Sequence, residues 1–275
     1  MMQGAGCIPA SASQVRRPET MKYHTIEQLS ELRLSAMRNE YQRQCELPSC
    51  QALSFDERFA QIVTAQANSR HESRLKRLVK SANLSDPTAI LADIDYAEER
   101  HLRKADIDPL STCDWVREGH NLIVTGPTGV GKTFVLSAFG HAACMLGLTV
   151  RSYRTTRLLT DLAIGRGDGS YDKLLNDLGK PDLLILDDFG IKQIDVELSQ
   201  DLLEVIDDRW RHQKSLGISS QLPVKEWPNV FVDPTICDSI MDRTVRNAYR
   251  ISLKGPSRRP TLPFAGDTSS EDVSA

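Results

Sequence analysis

The octapeptide at residues 126–133 constrains the fold of this chain more than any other feature of its sequence. It reads GPTGVGKT and matches the pattern G-x-x-x-x-G-K-[ST] at every fixed position. An apolar strand pattern precedes it at residues 121–125, and a helical pattern follows it at residues 132–146. The glycines allow successive backbone N–H groups to point at phosphate oxygens, at the positive end of that helix. The octapeptide therefore predicts a nucleotide-binding loop between a strand and a helix.

The last two residues of the octapeptide have distinct expected tasks. Lys132 is expected to reach the β- and γ-phosphates, and the Thr133 hydroxyl is expected to complete the coordination shell of Mg²⁺. The predicted cofactors are therefore ATP and Mg²⁺. The predicted nucleotide-binding residues are Gly126, Pro127, Thr128, Gly129, Val130, Gly131, Lys132 and Thr133.

An acidic pair at the end of a second apolar strand supplies the partner that such a loop requires. Residues 183–186 read LLIL, and Asp187 and Asp188 follow them directly. Because ligands bind at the carboxyl ends of strands in open α/β sheets, both carboxylates are expected beside the phosphates. Asp187 is predicted to hold Mg²⁺ through water, and Asp188 to orient or deprotonate the attacking water. Together with the loop, the pair predicts a P-loop ATPase.

Strand and helix patterns alternate from residue 110 onward. The predicted strands lie at residues 121–125, 148–153, 183–186, 216–219 and 249–253. Because helical patterns separate these strands, they are predicted to form a parallel α/β sheet that helices cover on both faces.

Helical patterns also precede the sheet region. One helix is predicted over residues 25–44 and another from Ser54 to Lys80, whereas residues 86–108 are interpreted as a connection outside the core. Met21 is a plausible true start. The predicted domains are a disordered extension at 1–20, a helical N-terminal domain with its linker at 21–108, an ATPase domain at 109–259 and a disordered tail at 260–275.

The composition, the net charge and the lack of long apolar runs indicate an ordinary globular protein and argue against a membrane-spanning or secreted one. Hydrophobic residues make up 40% of the chain and charged residues 26%, as in ordinary globular proteins, and the net charge is only -3. No apolar run reaches the ~18 residues needed to span a bilayer. The N-terminus lacks the apolar core of a signal peptide, and the cysteines are scattered singly. These features predict a cytoplasmic protein without a membrane partner.

Although the net charge of the whole chain is close to zero, one predicted helix carries a local stripe of basic residues. Arg70, Arg74 and Arg77 fall on one face of the predicted helix, and Lys80 follows them. Such a stripe would bind DNA phosphates independently of the base sequence, and its affinity for DNA would fall as the salt concentration rises. The alternative is a solvated helix face with no ligand.

Beyond these motifs, residues from about 25 to 259 resemble the IstB family, AAA+ ATPases that assist a transposase and are related to the DnaC helicase loaders. The resemblance implies a P-loop AAA+ core, a small all-helical N-terminal domain, ATP-dependent assembly on DNA and a transposase partner. The segments that carry it are NLIVTGPTGVGKT (121–133), GHAAC (140–144), RLLTDLAIGRGDGSYDKLL (157–175), LLILDDFG (183–190), DLLEVIDDRW (201–210), SSQLPVKEW (219–227), DPTICDSIMDR (233–243) and NAYRISLKG (247–255).

The resemblance also implies roles for residues outside the two motifs. Ser220 and Gln221, at the end of the fourth strand, take the sensor 1 place, where a polar side chain reads the γ-phosphate and the attacking water. Arg243 corresponds to the arginine finger, which enters a neighbouring subunit's site; the alternative is a surface salt bridge. Arg259 falls where the sensor 2 arginine of the usual Gly-Glu-Ser-x-Arg segment sits. A proline replaces the glutamate of that segment and can rotate it, so Arg258 is the alternative.

Two further expectations follow from the resemblance. Asp188 stands where many AAA+ proteins carry glutamate, and its shorter reach predicts slow, switch-like hydrolysis. If subunits assemble in a ring or helix, four basic side chains are expected to line a central DNA groove: Arg154, Arg157, Arg166 and Lys173.

The sequence therefore predicts an ATP-dependent helper of DNA transposition. Such a protein would oligomerise on duplex DNA through a shared ATP site and would recruit or regulate a cognate transposase. One alternative is a DnaC-type loader that acts on a replicative helicase and single-stranded DNA. Another is an ATP-gated module that binds DNA and a partner with negligible turnover.

Overall fold

The structure is a computed structural model that describes residues 18–97 and 100–258, and a parallel sheet lies at the centre of its larger compact unit. Its strands follow the order β2-β3-β4-β1-β5, and each neighbouring pair runs parallel. The predicted α/β class and the five-stranded parallel sheet are therefore confirmed. The strands are β1 (Asn121–Thr125), β2 (Val150–Arg154), β3 (Leu183–Phe189), β4 (Ser215–Ser220) and β5 (Ala248–Ser252).

Helices cover both faces of this sheet, because successive side chains of each strand point to opposite faces. On β3, Leu183 and Ile185 pack in one core with α6 (Lys132–Met145), whereas Leu184 and Leu186 pack in a second core with α7 (Thr155–Asp168) and α9 (Val196–Arg211). The helices of this region are α4 (Lys104–Ile107), α5 (Asp114–Arg117), α6 (Lys132–Met145), α7 (Thr155–Asp168), α8 (Tyr171–Gly179), α9 (Val196–Arg211) and α10 (Pro234–Val245).

The segment before β1 belongs to the first of these cores. Ala89, Ile94, Leu102 and Ile107 are each more than nine-tenths buried and pack with α6 and the sheet. The structure corrects the expectation that residues 86–108 are a connection outside the core. The sequence shows only two short helical patterns there, at residues 89–94 and 97–104, and the short turns of the segment space its apolar residues too irregularly to predict their burial.

Three helices precede this segment: α1 (Pro18–Glu31), α2 (Ser35–Glu46) and α3 (Phe55–Ala82). The chain divides into two compact units between Arg74 and Leu75. The single helix predicted over residues 25–44 is two helices, because the chain turns at Arg33, whose φ of 56° is left-handed. The start of α3 agrees with the prediction, since the Ser54 hydroxyl accepts from the Glu57 N–H at 3.3 Å and the Glu57 carboxylate accepts from the Ser54 N–H at 2.8 Å.

Parts of the predicted termini lie outside the described residues. These parts are residues 1–17 of the expected extension, the tail at 260–275 and the candidate Arg259. Residues 18–20, which were expected to be disordered, belong to α1, as does Met21. Among the helices of the described ranges, none is both long and apolar enough to cross a bilayer.

Candidate nucleotide-binding site

The phosphate loop joins the carboxyl end of β1 to the start of α6. Gly131 ends the loop with a left-handed φ of 97°, and a Cβ there would lie 2.9 Å from Arg100 Nη2. Glycine is the residue that adopts this conformation without steric cost. The backbone geometry therefore explains this glycine of the motif, and it places the amino end of α6 where an anion would be stabilised.

Lys132 is buried inside the loop. Its side chain is only 6% exposed, and its Nζ donates a hydrogen bond to the Pro127 carbonyl at 2.8 Å. A buried ammonium group requires hydrogen-bond acceptors, and phosphate oxygens form stronger, charge-assisted bonds than a neutral carbonyl does. The lysine is thus placed where the phosphates of a nucleotide would contact it.

Thr133 and Asp187 provide two oxygen ligands suited to Mg²⁺. The Thr133 hydroxyl donates to Asp187 Oδ1 at 3.0 Å, and Asp187 is 4% exposed at the end of β3. Mg²⁺ takes oxygen ligands and commonly binds through one or two protein groups plus waters and substrate phosphates. A hydroxyl and a carboxylate that already touch beside the loop fit this pattern, so these two residues would hold the ion.

Ser219 on β4 links the two members of the acidic pair and was not predicted from the sequence. Its hydroxyl donates to Asp187 Oδ1 and accepts from the Asp188 N–H, the latter at 2.9 Å. Ser219 is fully buried, and Asp188 has a left-handed φ of 59°. The hydroxyl therefore stabilises both the carboxylate of Asp187 and the unusual backbone of Asp188. The sequence does carry a signal, because a hydroxyl in a buried parallel strand requires a partner.

Replacing Ser219 by alanine is expected to lower the free energy of unfolding by about 1–3 kcal/mol, since the Asp188 N–H and an Asp187 oxygen lose a buried partner. Thermal unfolding of the purified chain measures this change. The control is Ser252→Ala on β5, where the side chain is exposed and the expected change is within about 0.5 kcal/mol. Equal unfolding midpoints for the two variants would contradict the role given to Ser219.

Of the two residues predicted at the sensor 1 place, Gln221 contacts the phosphate loop and Ser220 does not point into the cavity. Thr128 Oγ1 donates to Gln221 Oε1 at 2.7 Å. Ser220 is fully buried, and its hydroxyl donates to the Phe189 carbonyl at 2.8 Å and accepts from the Leu222 N–H at 3.1 Å. The Ser220 hydroxyl thus stabilises the turn after β4, and Gln221 is the candidate that reaches the nucleotide site.

A cavity of about 450 Å³ lies beside the loop, within the size range of nucleotide and cofactor sites. The segment before β1 supplies one wall, which the sequence did not predict. Residues from five parts of the chain line the cavity: Asp86, Asp93, Asp95 and Arg100 before β1; Thr128, Gly129, Gly131, Lys132, Thr133 and Phe134 in the loop and α6; Asp188; Gln221; and Arg258.

Arg258, one of the two candidates for the sensor 2 place, is attached to the phosphate loop. Its backbone N–H donates to the Gly129 carbonyl at 3.0 Å, and its guanidinium forms an ion pair with Asp95. Arg100 contacts the same loop, donating from Nη2 to the Val130 carbonyl at 3.0 Å. Burial and the nearby charge of Arg258 lower the pKa of Arg100. Of the two candidates, Arg258 therefore lines the cavity, and Arg259 lies outside the described residues.

Asp188 faces a cationic side chain at the end of the neighbouring strand β2. Arg154 Nε lies 3.3 Å from Asp188 Oδ2. The register of the sheet causes this contact, because β2 and β3 pair with Arg154 opposite Asp187. A residue predicted to line a DNA groove therefore contacts a carboxylate predicted to act on water.

Arg243 lies on α10, away from this cavity. Its Nε donates to Asp207 Oδ1 at 2.7 Å and its Nη1 to the Ser239 carbonyl at 3.0 Å, while Cζ lies 5.6 Å from the Trp210 ring centre. Within one chain Arg243 thus forms a salt bridge. It also lines a second cavity of about 310 Å³, together with Asn121 at the amino end of β1.

The residues predicted to contact DNA all have exposed side chains. They are Arg70, Arg74, Arg77 and Lys80 on α3, Arg154 on β2, Arg157 and Arg166 on α7 and Lys173 on α8. Arg157 also forms an ion pair with Asp161 at 3.0 Å. Arg166 is exposed as well, but its guanidinium forms an ion pair with the buried Asp201 and lies over the Tyr171 ring at 4.4 Å.

A sequence model of the family described as IstB-like ATP binding protein matches residues 27–262. A protein of Pseudomonas fluorescens described as an ATP-binding protein of insertion sequence IS1162 is 44% identical over 203 residues, covering 74% of this chain and 87% of that protein. A Sinorhizobium fredii protein described as an insertion sequence ATP-binding protein is 35% identical over 239 residues, covering 87% and 97%. These matches confirm the family that the motifs indicated.

Solved structures agree with the fold. The crystal structure of DnaI superposes with a TM-score of 0.51 at 19% identity, covering 65% of this chain and 94% of that chain. AMPPCP-bound DnaA from Aquifex aeolicus superposes with a TM-score of 0.51 at 17% identity, covering 61% and 50%. At these identities the similarity shows the fold alone.

Proposed function

The chain belongs to the family of IstB-like ATP-binding proteins, and from this premise we propose that it hydrolyses ATP as a helper of DNA transposition. It oligomerises on duplex DNA and recruits or regulates a cognate transposase. The names of its relatives support this proposal, since they associate ATP-binding proteins with insertion sequences.

The position of Arg243 is the observation that carries the proposal. Asn121 Nδ2 donates to the Arg243 carbonyl at 3.1 Å, and Asn121 begins the strand whose far end leads into the phosphate loop. Arg243 is therefore poorly placed to contact the γ-phosphate bound by its own chain. A second copy would bring its Arg243 to that phosphate and stabilise the charge that develops during phosphoryl transfer. Such a head-to-tail contact repeats into a ring or a helix.

The chemistry at this shared site follows from the described side chains. Lys132 binds the β- and γ-phosphates, and Thr133 and Asp187 hold Mg²⁺, which neutralises phosphate charge when bound. Asp188 accepts a hydrogen bond from the attacking water, and Gln221 lies where it can contact the same region. The short reach of Asp188 gives slow hydrolysis, so ATP chiefly controls assembly.

The exposed basic side chains of α3 give the assembly an affinity for DNA that is independent of sequence. Arg70, Arg74 and Arg77 follow one face of the helix, and the phosphate backbone is the ligand that such a stripe suits.

Assembly of the purified chain on duplex DNA tests this function. Mass photometry and electron microscopy should show multimers surrounding the duplex when ATP and DNA are both present, and smaller species when either is absent. A single-chain mass under all conditions, or assembly only on single-stranded DNA, would overturn the proposal.

A charge-reversal pair tests the DNA contacts in the same assay. Arg74→Glu combined with Arg77→Glu is expected to weaken DNA binding and to reduce its dependence on salt by about one phosphate contact for each charge removed. Arg103→Glu is the control, because Arg103 is exposed and paired with Asp106 outside the proposed DNA surface. Equal DNA affinities for the double variant and the control would remove α3 from that surface.

A further inference from the structure

Arg100 places a buried positive charge beside the phosphate loop. It is 4% exposed and lines the nucleotide cavity. Its Nη2 donates to the Val130 carbonyl at 3.0 Å, its Nη1 donates to the Asp95 carbonyl, and its Nε has no hydrogen-bond partner among the described residues. The Asp95 carboxylate pairs with Arg258 instead. Because a buried charge is costly unless an opposite charge compensates for it, burial of this guanidinium indicates an anionic ligand nearby.

A second buried arginine, Arg209 on α9, provides a comparison. It is fully buried, and its Nε also lacks a hydrogen-bond partner among the described residues, so an unpartnered Nε alone does not identify a ligand site. Its Nη atoms donate to four main-chain carbonyls outside the nucleotide cavity, those of Leu178, Pro181, Asp182 and Ser215. Arg209 therefore stabilises the core, whereas Arg100 is distinguished by its bond to the phosphate loop and its place on the cavity wall.

The bond from Arg100 fixes the orientation of one peptide group of the loop, the group that joins Val130 to Gly131. The C=O and N–H of a trans peptide point in opposite directions, and every peptide bond of the described residues is trans. Because the Val130 carbonyl faces Arg100, the Gly131 N–H points away from the arginine and into the loop. Backbone N–H groups of loops with this motif bind the α- and β-phosphates. A charged donor on the carbonyl also polarises the peptide group and makes its N–H a stronger donor.

The segment that follows β5 holds the preceding peptide group of the loop. The Arg258 N–H donates to the Gly129 carbonyl at 3.0 Å, and the Arg258 guanidinium pairs with Asp95. The Lys254 N–H donates to the Arg100 carbonyl at 3.1 Å. The segment before β1 and the segment after β5 are therefore bound to each other as well as to the loop, which keeps the Arg100 guanidinium at a fixed position beside it.

We propose that Arg100 is a positioning residue for nucleotide binding, which orients and polarises the Gly131 N–H toward the α- and β-phosphates and attracts them with its buried charge. The proposal deepens the proposed function and rests on one part of it, the binding of nucleotide at residues 126–133; it needs neither DNA nor assembly. Because ATP and ADP share these two phosphates, Arg100 strengthens the binding of both alike. Lys132 differs, since it also reaches the γ-phosphate, which ADP lacks.

The test is calorimetric titration of the full chain, in Mg²⁺ and without DNA, with a non-hydrolysable ATP analogue and separately with ADP. Arg100→Met removes the charge and the donors but keeps an unbranched side chain, and it is expected to lower the affinity for both nucleotides by the same factor, roughly 5- to 20-fold. Lys132→Met should lower the affinity for the ATP analogue more than that for ADP. Arg100→Lys, which keeps the charge and a donor, should restore part of the affinity for both nucleotides.

Two control variants separate this effect from a general loss of charge or of stability. Arg103→Met removes an exposed arginine that pairs with Asp106, three residues along the chain, and should leave both affinities unchanged. Arg209→Met should lower the midpoint of thermal unfolding without changing the nucleotide affinity of the folded chain. If Arg100→Met does not fold, Arg100→Lys takes its place, with an expected loss of roughly two- to fivefold in the affinity for both nucleotides.

The outcomes distinguish the task of Arg100 from the nucleotide site on which it rests. If the wild-type chain binds neither nucleotide, the proposed function is overturned together with this proposal. If the wild type binds both and the folded Arg100 variant binds them equally well, the proposal for Arg100 alone is overturned. A loss of affinity confined to the ATP analogue would also overturn it, because Arg100 would then act on the γ-phosphate. Equal losses for the two nucleotides, with both controls unchanged in affinity, are the result that the proposal requires.

Discussion

Replacing Lys132 by methionine is expected to lower the affinity for ATP roughly 10- to 100-fold, since a hydrogen bond to a charged group contributes about 1.5–3 kcal/mol. Turnover should fall by about 100-fold or more, because the ammonium also stabilises charge that develops on the transferred phosphoryl group. Methionine retains an unbranched side chain in this buried position, so the loop keeps its packing. Titration with a fluorescent ATP analogue and a phosphate-release assay measure the two effects.

The matched control for this change is Lys180→Met. Lys180 is 73% exposed and pairs with Asp177 at 2.7 Å on the surface, so its loss should leave both ATP affinity and turnover unchanged. Unchanged ATP affinity in the folded Lys132→Met variant would contradict the assignment of residues 126–133 as the phosphate loop.

The sheet was predictable from the sequence, because its strands are buried on both faces. Residues 183–186 form a continuous apolar run between helical patterns, which is typical of a central parallel strand. The segment around Ile94 and Leu102 was not predictable in the same way. Its two helical patterns are too short to show a buried face, and its burial depends on contacts with α6, which lies further along the sequence.

The residues of the nucleotide site also fall into those that the sequence predicts and those that it does not. Lys132 and Asp187 belong to local motifs whose spacing is fixed by the backbone, so the positions of Lys132 at the start of α6 and of Asp187 near the carboxyl end of β3 followed from the sequence. Ser219, Arg100 and Asp95 contribute contacts that depend on strand order and on the path of a turn-rich segment. A single sequence contains no spacing rule for such contacts.

Replacing Arg243 by alanine is expected to leave ATP affinity nearly unchanged and to lower turnover by about 1,000-fold, the lower range measured for arginine fingers. Within the chain, however, Arg243 also pairs with Asp207 at 2.7 Å. Asp207→Asn separates these two roles, because it weakens the intrachain ion pair and leaves the guanidinium in place. If Arg243 were only a surface salt bridge, both variants would show the same turnover; as an arginine finger, Arg243→Ala alone should lose it.

A mixing experiment shows whether the guanidinium acts in another chain. Each chain of Lys132→Met has a defective loop and an intact Arg243, and each chain of Arg243→Ala has the reverse. In a random one-to-one assembly with head-to-tail contacts, roughly a quarter of the sites combine an intact loop with a neighbour's intact arginine. The mixture should therefore recover about a quarter of wild-type turnover, although each variant alone is inactive. Recovery requires contact between chains, so a mixture as inactive as its components would exclude a site completed by Arg243 of a second copy.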